Sequence, residues 1–514
     1  MADRSKIIAA IDIGSNKISM TISEILPGGK VNFIEDVKKV SSIGKDTFND
    51  GRISAEIINE TCDILKRFSI LMRDYGAEEH FAVATSGLRE AENSEYVIDQ
   101  IMIKTGINVK IINNSQERFF SFLALKNNIT GKKSLSNKSV MVVNISSGGV
   151  EVSIQKNGKL VFTEYLKLGS LRLRETLSGL EAMTSDYPKV MEEFIESKLS
   201  LLKPKLQSMK IKKFIGLGGE ISTILGIIDD EILTNEEGLT YVKLSTLAEL
   251  YKKLKTMSTN QISDMYDLSR SSAEILLPSV TMFYLFIKMT KADEILAPLA
   301  SHRHGIIYDL AGKTTDKRWT ADSNIVSAAW KIARKYGVDK KHASFVVKTA
   351  LSIFDQTLEI SRLESENRLY LQLAAILHDV GNYVGFTNHE KQSYTIVKMQ
   401  NLLGISDDEL NIIANVTYYH TSNIPNKQHR NYINLSDRDK IRVSKLAAIL
   451  KFAEALDCSH TQKIQKLSVT AENDVLVMSI TASKDILLEK WSVEENIDYF
   501  EEVMGVRPQI KITR

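Results

Sequence analysis

The sequence predicts two α/β lobes, then a helical domain, then a small α+β segment, and three observations carry this reading. Lys6–Ser23 returns in altered form at Val140–Ile154: an apolar strand ends on an Asx residue, Asp12 or Asn144, a turn of small residues follows, and a second strand leaves with alternating side chains. After each copy, short apolar strands alternate with helical stretches. Beyond Ser323 the apolar positions recur at spacings of three and four, with histidines scattered among them.

Taken in order, the first hairpin is followed by the Leu26–Lys30 turn and a third strand over Val31–Val37. Ser54 is placed to cap a helix carrying Ile57, Cys62, Leu65 and Phe68 until Gly76 stops it. A strand over His80–Thr85, a helix over Ser94–Thr105, a strand over Val109–Ile112 and a helix over Ser115–Lys126 complete the lobe. The second lobe repeats the scheme from Ser139, its hairpin closing at Asn157-Gly158, a two-residue turn signal. Phe214–Glu220 reads as strand, glycine turn and helix start. A long apolar helix from Ser272, a strand near Glu294–Ala297 and a helix ending near Leu310 lead to a polar linker at Ala311–Ser323. Near the end, Lys463–Ala482 alternates around Glu472-Asn473-Asp474 like a hairpin, a helix covers Glu494–Met504, and Gln509–Thr513 is a closing strand. The expected domains are 1–127, 128–312, 313–460 and 461–514.

Composition narrows the classes. The 66 Lys+Arg against 64 Asp+Glu leave a net charge of +2, which argues against a dedicated nucleic-acid protein. Cys62 and Cys458 are the only cysteines, without metal-site spacing, so neither a disulfide framework nor a zinc ribbon is expected. Neither a secretory signal nor an apolar span near 20 residues is visible, and the expected location is the cytoplasm, off the membrane. Lys203, Lys205, Lys210, Lys212 and Lys213 cluster, as do Lys252, Lys253 and Lys255; such runs are usually solvated faces, and matter only if they line a groove leading to Arg89.

The two hairpins suit phosphate. Small residues let the backbone approach a phosphoryl group, successive N–H groups form an anion nest, and the Asx side chains are available to a cation or water. Singly, each turn reads equally well as a plain hairpin; the duplicated placement favours a phosphate site between the lobes.

Asp12–Asn16, Ala84–Ala91, Leu168–Leu173, Gly216–Gly219 and Arg303–Asp309 resemble, in order, landmarks of the exopolyphosphatase and guanosine pentaphosphate phosphatase (Ppx/GppA) family. Leu377–Gly381 and Leu446–Asp457 are similar to the helical HD-like domain of its long members. The resemblance implies two actin/Hsp70-like (RNase H-like) lobes and release of terminal phosphate from inorganic polyphosphate or guanosine pentaphosphate, with Mg²⁺ expected and a homodimer the family's usual state. It assigns the phosphates to Gly14, Ser15, Asn16, Lys17, Ser147, Gly148, Gly149, Gly218 and Gly219, with Arg89 as a forked anchor. Asp12 and Asn144 are the expected Mg²⁺ ligands. Glu117 matches the family's water-activating glutamate and is the expected base, with Glu151 to fix the water or hold a metal-bound one; alone, Glu117 reads as a first-turn acid favoured by the helix dipole and Glu151 as a strand-face polar residue.

The chain departs from the family pattern. Asn144-Ile-Ser-Ser-Gly-Gly-Val-Glu151 replaces Asp-Ile-Gly-Gly-Gly-Ser-Thr-Glu, so an anionic metal partner and two hydroxyls are lost and cation binding weakens. Lys17 stands where Ser or Thr is usual, Asn113-Asn114 where Ser-Gly is usual, Gln116 and Arg118 flank the base, and Glu220 follows the glycine pair in place of Thr. A carboxylate there repels a polyphosphate end unless it is paired. These departures motivate a rival reading, a polyphosphate or alarmone sensor, binding guanosine tetra- or pentaphosphate without turnover. His342, His378, Asp379 and Asp457 have the order of an HD metal site that His389 and His420 extend to two ions, with Glu454 an alternative last ligand; buried structural histidines are the ordinary alternative. That set motivates a third reading, an HD-type nucleotide phosphohydrolase.

Overall fold

The computed structural model describes the chain except for residues 1–4, 130–134, 136–137, 157–158, 182, 229–231, 236–238, 299, 315–318, 473–474, 483 and 514. The Asn157-Gly158 turn, the Asn473-Asp474 turn and the centre of the expected linker lie outside the described residues. Contacts divide the chain into two compact units, Met1–Arg318 and Trp319–Arg514.

The first unit contains the echo as duplicated topology. Strands β1 (Lys6–Ile13), β2 (Lys17–Ile25), β3 (Val31–Val40), β4 (Glu79–Ala84) and β5 (Val109–Ile111) form a sheet of order β3-β2-β1-β4-β5. The second sheet contains β6 (Ser139–Ile145), β7 (Val150–Lys156), β8 (Lys159–Leu166), β9 (Lys213–Leu217), β10 (Leu233–Thr234), β11 (Thr240–Lys243) and β12 (Glu294–Leu296) in the order β10-β11-β12-β9-β6-β7-β8. Its segment β8-β7-β6-β9-β12 repeats the first sheet strand for strand: an antiparallel meander on one side, parallel additions on the other. This is the two-lobed actin-like arrangement.

Helix formation follows the expected signals. Ser54 accepts a hydrogen bond from Ile57 N and caps the helix Ala55–Asp74, which buries Cys62, Leu65, Phe68 and Met72 against Ile11, Ile18 and Met20 of the sheet. In the second lobe Arg270–Lys288 buries Leu276, Phe283 and Phe286 against Met141, Val143 and Phe214. Each such fully buried side chain is worth about 1.5–3 kcal/mol of transfer free energy. Two short helices, Ile43–Asp50 and Ser86–Arg89, appear where no periodic signal exists, because they are too short to display one.

Two helices join the lobes, Asn114–Ile129 and His302–Thr314. A Cβ on Gly305 would overlap the Phe120 carbonyl, so the pair packs backbone to backbone there. Arg303 donates to Thr21 Oγ1 (2.8 Å) and Asp36 Oδ1 (2.7 Å), tying the second helix to the first lobe. In the second unit one apolar core runs from Ile325 to Met504. It packs the helices Lys340–Gln356, Asn367–Leu377, Asp407–Tyr418 and Asp437–Ala455 with a sheet of β13 (Ile464–Glu472), β14 (Val475–Ala482) and β15 (Arg507–Thr513), in which β15 runs parallel to β14. Among the described residues, no helix is long and apolar enough to cross a membrane.

Candidate functional site

The two echo loops meet. Gly14 N bonds Lys17 O across the first turn (3.0 Å), and Ser146 N bonds Gly149 O across the second (2.9 Å). Ser86, at the start of the short helix after β4, lies between them: its hydroxyl is 3.1 Å from Ser15 Oγ, and a Cβ on Gly148 would overlap it. Gly149 is equally constrained by the Tyr165 ring, and Ser147 gives its carbonyl to Arg172 N. Gly218 is glycine because it has φ +116° and presses on the Ile145 carbonyl, whereas a Cβ on Gly219 would meet open space.

Behind the loops, one face of Asn114–Ile129 supplies successive side chains to the cleft. Glu117 Oε1 takes a 2.5 Å ion pair from Arg89, whose guanidinium also donates to Asn114 Oδ1 and the Ile112 carbonyl. Arg118 Nε lies 3.4 Å from Glu151 Oε1, an ion pair without hydrogen-bond alignment. Ser121 accepts from the Asn144 amide at 3.2 Å. The β6-β7-β8 register then places Asn144, Glu151 and Tyr165 in one cross-strand row. His302, first residue of the second joining helix, is within 3.4 Å of Asn144 Nδ2 and 3.9 Å of Asp12 Oδ2.

Burial lifts the Glu151 carboxyl, against the pull of Arg118 and His302, to about 7. Burial alone would lower His302, but Asp12, Glu117 and Glu151 outweigh it and hold the imidazolium above its ordinary range. Burial and then the Glu117 charge push the Tyr165 phenol up to about 12, so it stays a donor. Asp12 Oδ1, Asn16 Nδ2, Arg118 Nε and Glu220 Oε2 are buried without hydrogen-bond partners. Each of these atoms has hydrogen-bonding capacity that the chain's own side chains do not use.

Two of the expected phosphate cations are engaged by protein. Arg89 is held as described, and Lys17 Nζ pairs with Glu220 Oε1 at 3.2 Å, which also answers the charge of Glu220. The Lys17 side chain borders a cavity of about 540 Å³ with Lys38, Gly219 and Tyr266. The lysine cluster before β9 does not lead to Arg89. Lys210 and Lys212 join Lys138 and Lys156 at the far end of the β6-β7 hairpin, about 20 Å of strand from the loop. Lys213 is paired with Glu294 and Lys255 with Glu192.

In the second unit, five helical segments bring histidines together. His342 Nε2 is 3.3 Å from His378 Nε2, and Glu454 Oε2 lies 3.0 and 3.2 Å from the same two atoms. His389 Nε2 and His420 Nε2 stand 3.0 Å apart. Asp379 faces both pairs, Oδ2 at 3.6 Å from His378 and Oδ1 at 3.4 and 3.8 Å from His389 and His420. Asp457 differs from the expectation: it sits on the opposite edge of His342, accepting from Nδ1 at 2.9 Å while Gln462 donates to it twice, so it orients the ring and Glu454 takes the converging position. Burial and then His378 press His420 down to about 4, leaving a neutral ring.

Sequence reading missed Tyr165 and His302. Counting back from the Asn157-Gly158 turn puts Glu164 opposite Glu151, and Tyr165 takes that place only through a bulge between Ile154 and Gln155 that the sequence does not announce; His302 carries no periodic signal.

Residues 21–314 match the model of the Ppx/GppA phosphatase family, and residues 326–499 match that of Ppx/GppA phosphatase, domain III. A guanosine-5'-triphosphate,3'-diphosphate pyrophosphatase of Pseudoalteromonas translucida is 23% identical over 485 residues, 92% of each chain. Its namesake from Vibrio vulnificus is 20% identical over 94% of this chain and 93% of the relative. The crystal structure of an exopolyphosphatase from Cytophaga hutchinsonii shares the fold with a TM-score of 0.54 at 19% identity, covering 60% of this chain and 98% of that one. The chain belongs to the Ppx/GppA phosphatase family.

Proposed function

We propose that this phosphohydrolase, which acts on phosphoanhydrides, releases the terminal phosphate of inorganic polyphosphate or of guanosine pentaphosphate in the cleft between its lobes. The observation that carries the reading is the meeting of the two echo loops around buried, unpartnered polar atoms, with Glu117 and Glu151 beside them.

Breaking a phosphoanhydride spreads negative charge over the transferred group, so the chain must supply donors, cations and a positioned water. Backbone N–H groups of Ser15, Asn16, Ser147 and Gly148 hold the terminal phosphates, while those of Gly14 and Gly149 close the turns themselves. Incoming phosphate draws Arg89 from Glu117 and Lys17 from Glu220 by offering both a stronger anion. A base works best when its pKa lies near the working pH. Glu151, at about 7, therefore takes the water's proton, while Glu117, released from Arg89 by the phosphate, orients the water. His302 and Tyr165 donate to phosphate oxygens.

A divalent cation fits beside Asp12, whose Oδ1 is buried and unpartnered, although Asn144 adds only a neutral oxygen and turns its amide toward Ser121. Bound there, Mg²⁺ would neutralise charge on the phosphate oxygens. The two unpaired thiols, Cys62 and Cys458, suit a reducing cytoplasm. Phosphate release from long polyphosphate, guanosine pentaphosphate and ATP, each with and without Mg²⁺, tests the proposal. Release from one of the first two is expected to exceed that from ATP, and no release from either refutes it.

A further inference from the structure

The second echo loop contains the most easily turned peptide of the cleft. Gly148 and Gly149 follow one another, and without a Cβ on either side the peptide between them turns over at little steric cost. In a planar trans peptide the carbonyl and the N–H point in opposite directions, so a turned peptide offers an oxygen where a phosphate needs a donor. The loop is nevertheless held carbonyl by carbonyl. Ser170 N donates to Ser146 O at 3.0 Å and Arg172 N to Ser147 O at 3.0 Å, both from the first turn of the helix Ser170–Glu181. Arg172 Nε donates to Gly148 O at 2.7 Å, and Gly149 O accepts from Ser146 N. A Cβ on Gly169 would overlap Ser147 O and Gly149 N, so the helix start bears directly on the loop backbone. With these four carbonyls engaged, the N–H groups of Ser147 and Gly148 have no acceptor among the described residues. Of the four, only the Gly148 carbonyl depends on a side chain.

The rest of that side chain reaches the other lobe. Arg172 Nη2 donates to Glu90 Oε1 at 2.7 Å, and the guanidinium carbon lies 4.1 Å from the centre of the Phe48 ring. Glu90 directly follows the short helix Ser86–Arg89, and Phe48 lies on the helix Ile43–Asp50. Lys167 also pairs with Glu90, at 3.5 Å, and Asn49 donates to Glu175 Oε2 at 2.7 Å beside it. One guanidinium thus touches the phosphate loop of the second lobe with Nε and two residues of the first lobe with its far end.

We infer that Arg172 is a positioning residue for phosphate release: a clasp between the lobes that keeps the Gly148 carbonyl out of the phosphate site. The inference rests on the cleft reading given above and adds to it the event that completes the anion-binding loop. When the lobes part, Glu90 and Phe48 leave the guanidinium, its grip on Gly148 O loosens, and the Gly148-Gly149 peptide is free to turn its oxygen toward the phosphates. Closure reverses each of these steps, so alignment of the loop and exclusion of water arrive together. Arginine suits the task because its planar fork donates in two directions at once, to a carbonyl in one lobe and a carboxylate in the other.

The test measures steady-state phosphate release with Mg²⁺ by the full chain and by Arg172→Met, Arg172→Lys, Glu90→Gln and the Arg172→Met/Glu90→Gln pair. The substrate is whichever of long polyphosphate and guanosine pentaphosphate the wild type cleaves. Arg172→Met is expected to lose on the order of 100-fold in kcat, the scale of one misdirected oxyanion contact, while KM changes less than about three-fold. Arg172→Lys, which keeps a cation between Gly148 and Glu90, is expected to recover about ten-fold of that loss. Glu90→Gln alone is expected to cost about five-fold, and nothing further once Arg172 is Met, because the clasp is then already open. The inhibition constant of orthovanadate, a mimic of the transferred group, rises in step with the loss of kcat; a smaller folded fraction would lower kcat and leave that constant unchanged. A kcat for Arg172→Met within about three-fold of wild type, an unaltered vanadate constant, or a Glu90→Gln effect of the same size in both backgrounds overturns the inference. If Arg172→Met does not fold, Arg172→Lys and Glu90→Gln carry the same vanadate comparison. A wild type that releases no phosphate from either substrate refutes the cleft reading instead, so the two failures are told apart.

Discussion

Replacing Glu151 by glutamine makes the stability of the cleft-bearing unit less dependent on pH. The carboxyl titrates at about 7 in place of 4.5 because burial penalises its charge more than Arg118 compensates it. At about 1.4 kcal/mol per pH unit, that difference is on the order of 3 kcal/mol. The sign follows from linkage: a raised folded-state pKa favours the folded chain fully below 4.5, and the advantage is lost as pH rises through about 7. Between pH 5 and pH 8 the wild-type protein therefore gives up about 2–3 kcal/mol that Glu151→Gln retains. Any packing cost of the substitution is the same at both pH values and cancels in the comparison. Unfolding entropy of about 2.1 cal/mol/K per residue makes this roughly 4 °C for a unit spanning Met1–Arg318. Thermal unfolding of both proteins at pH 5 and pH 8, followed by differential scanning calorimetry, reads the effect. A wild-type-minus-variant difference in Tm that is equal at the two pH values refutes the argument that Glu151 is held above its ordinary range.

Three further outcomes follow from the cleft. The pH profile of kcat/KM should rise through about 7 as Glu151 loses its proton and fall above the ordinary imidazole range as His302 loses its own, so His302→Gln should flatten the alkaline limb; an unaltered profile contradicts this role. Gly148→Ala drives a methyl into Ser86 and should cost at least about ten-fold in kcat/KM with circular dichroism unchanged, whereas full activity would mean the loops need not meet. Glu220→Gln frees Lys17 and removes a buried anion beside the glycine turn, so KM for polyphosphate should fall several-fold, most at low salt; a rise in KM would show that the Lys17–Glu220 pair serves binding as it stands.

Much of the fold was legible because it was written twice. The hairpin at Lys6–Ile25 and its echo at Ser139–Lys156 each announce themselves by strand, Asx and small-residue turn, and their placement in equivalent positions of two sheets follows from that repetition. Helices with full periods, such as Ala55–Asp74 behind its Ser54 cap, were equally clear. Single-turn elements were not, since Ser86–Arg89 offers no periodicity, yet it delivers Ser86 to the point where the loops meet. Within the site, residue types indicated chemistry but not partners. Arg89 pairing with Glu117, Lys17 with Glu220 and Arg118 with Glu151 are contacts between segments far apart in the chain, and no spacing rule foretells them. The same holds for Asp457 and Glu454, one turn apart on the same stretch, where only the direction of the His342 ring decides which faces the cluster.

Phosphate release by wild-type protein and by Glu117→Gln, on long polyphosphate and on guanosine pentaphosphate at pH 8 with Mg²⁺, bears most directly on the claim that the interlobe cleft carries the hydrolysis. The account predicts release by the wild type and a loss of about 100-fold in the variant, whose water is no longer oriented, with its circular dichroism retained. Equal release by the two proteins would remove the chemistry from the cleft.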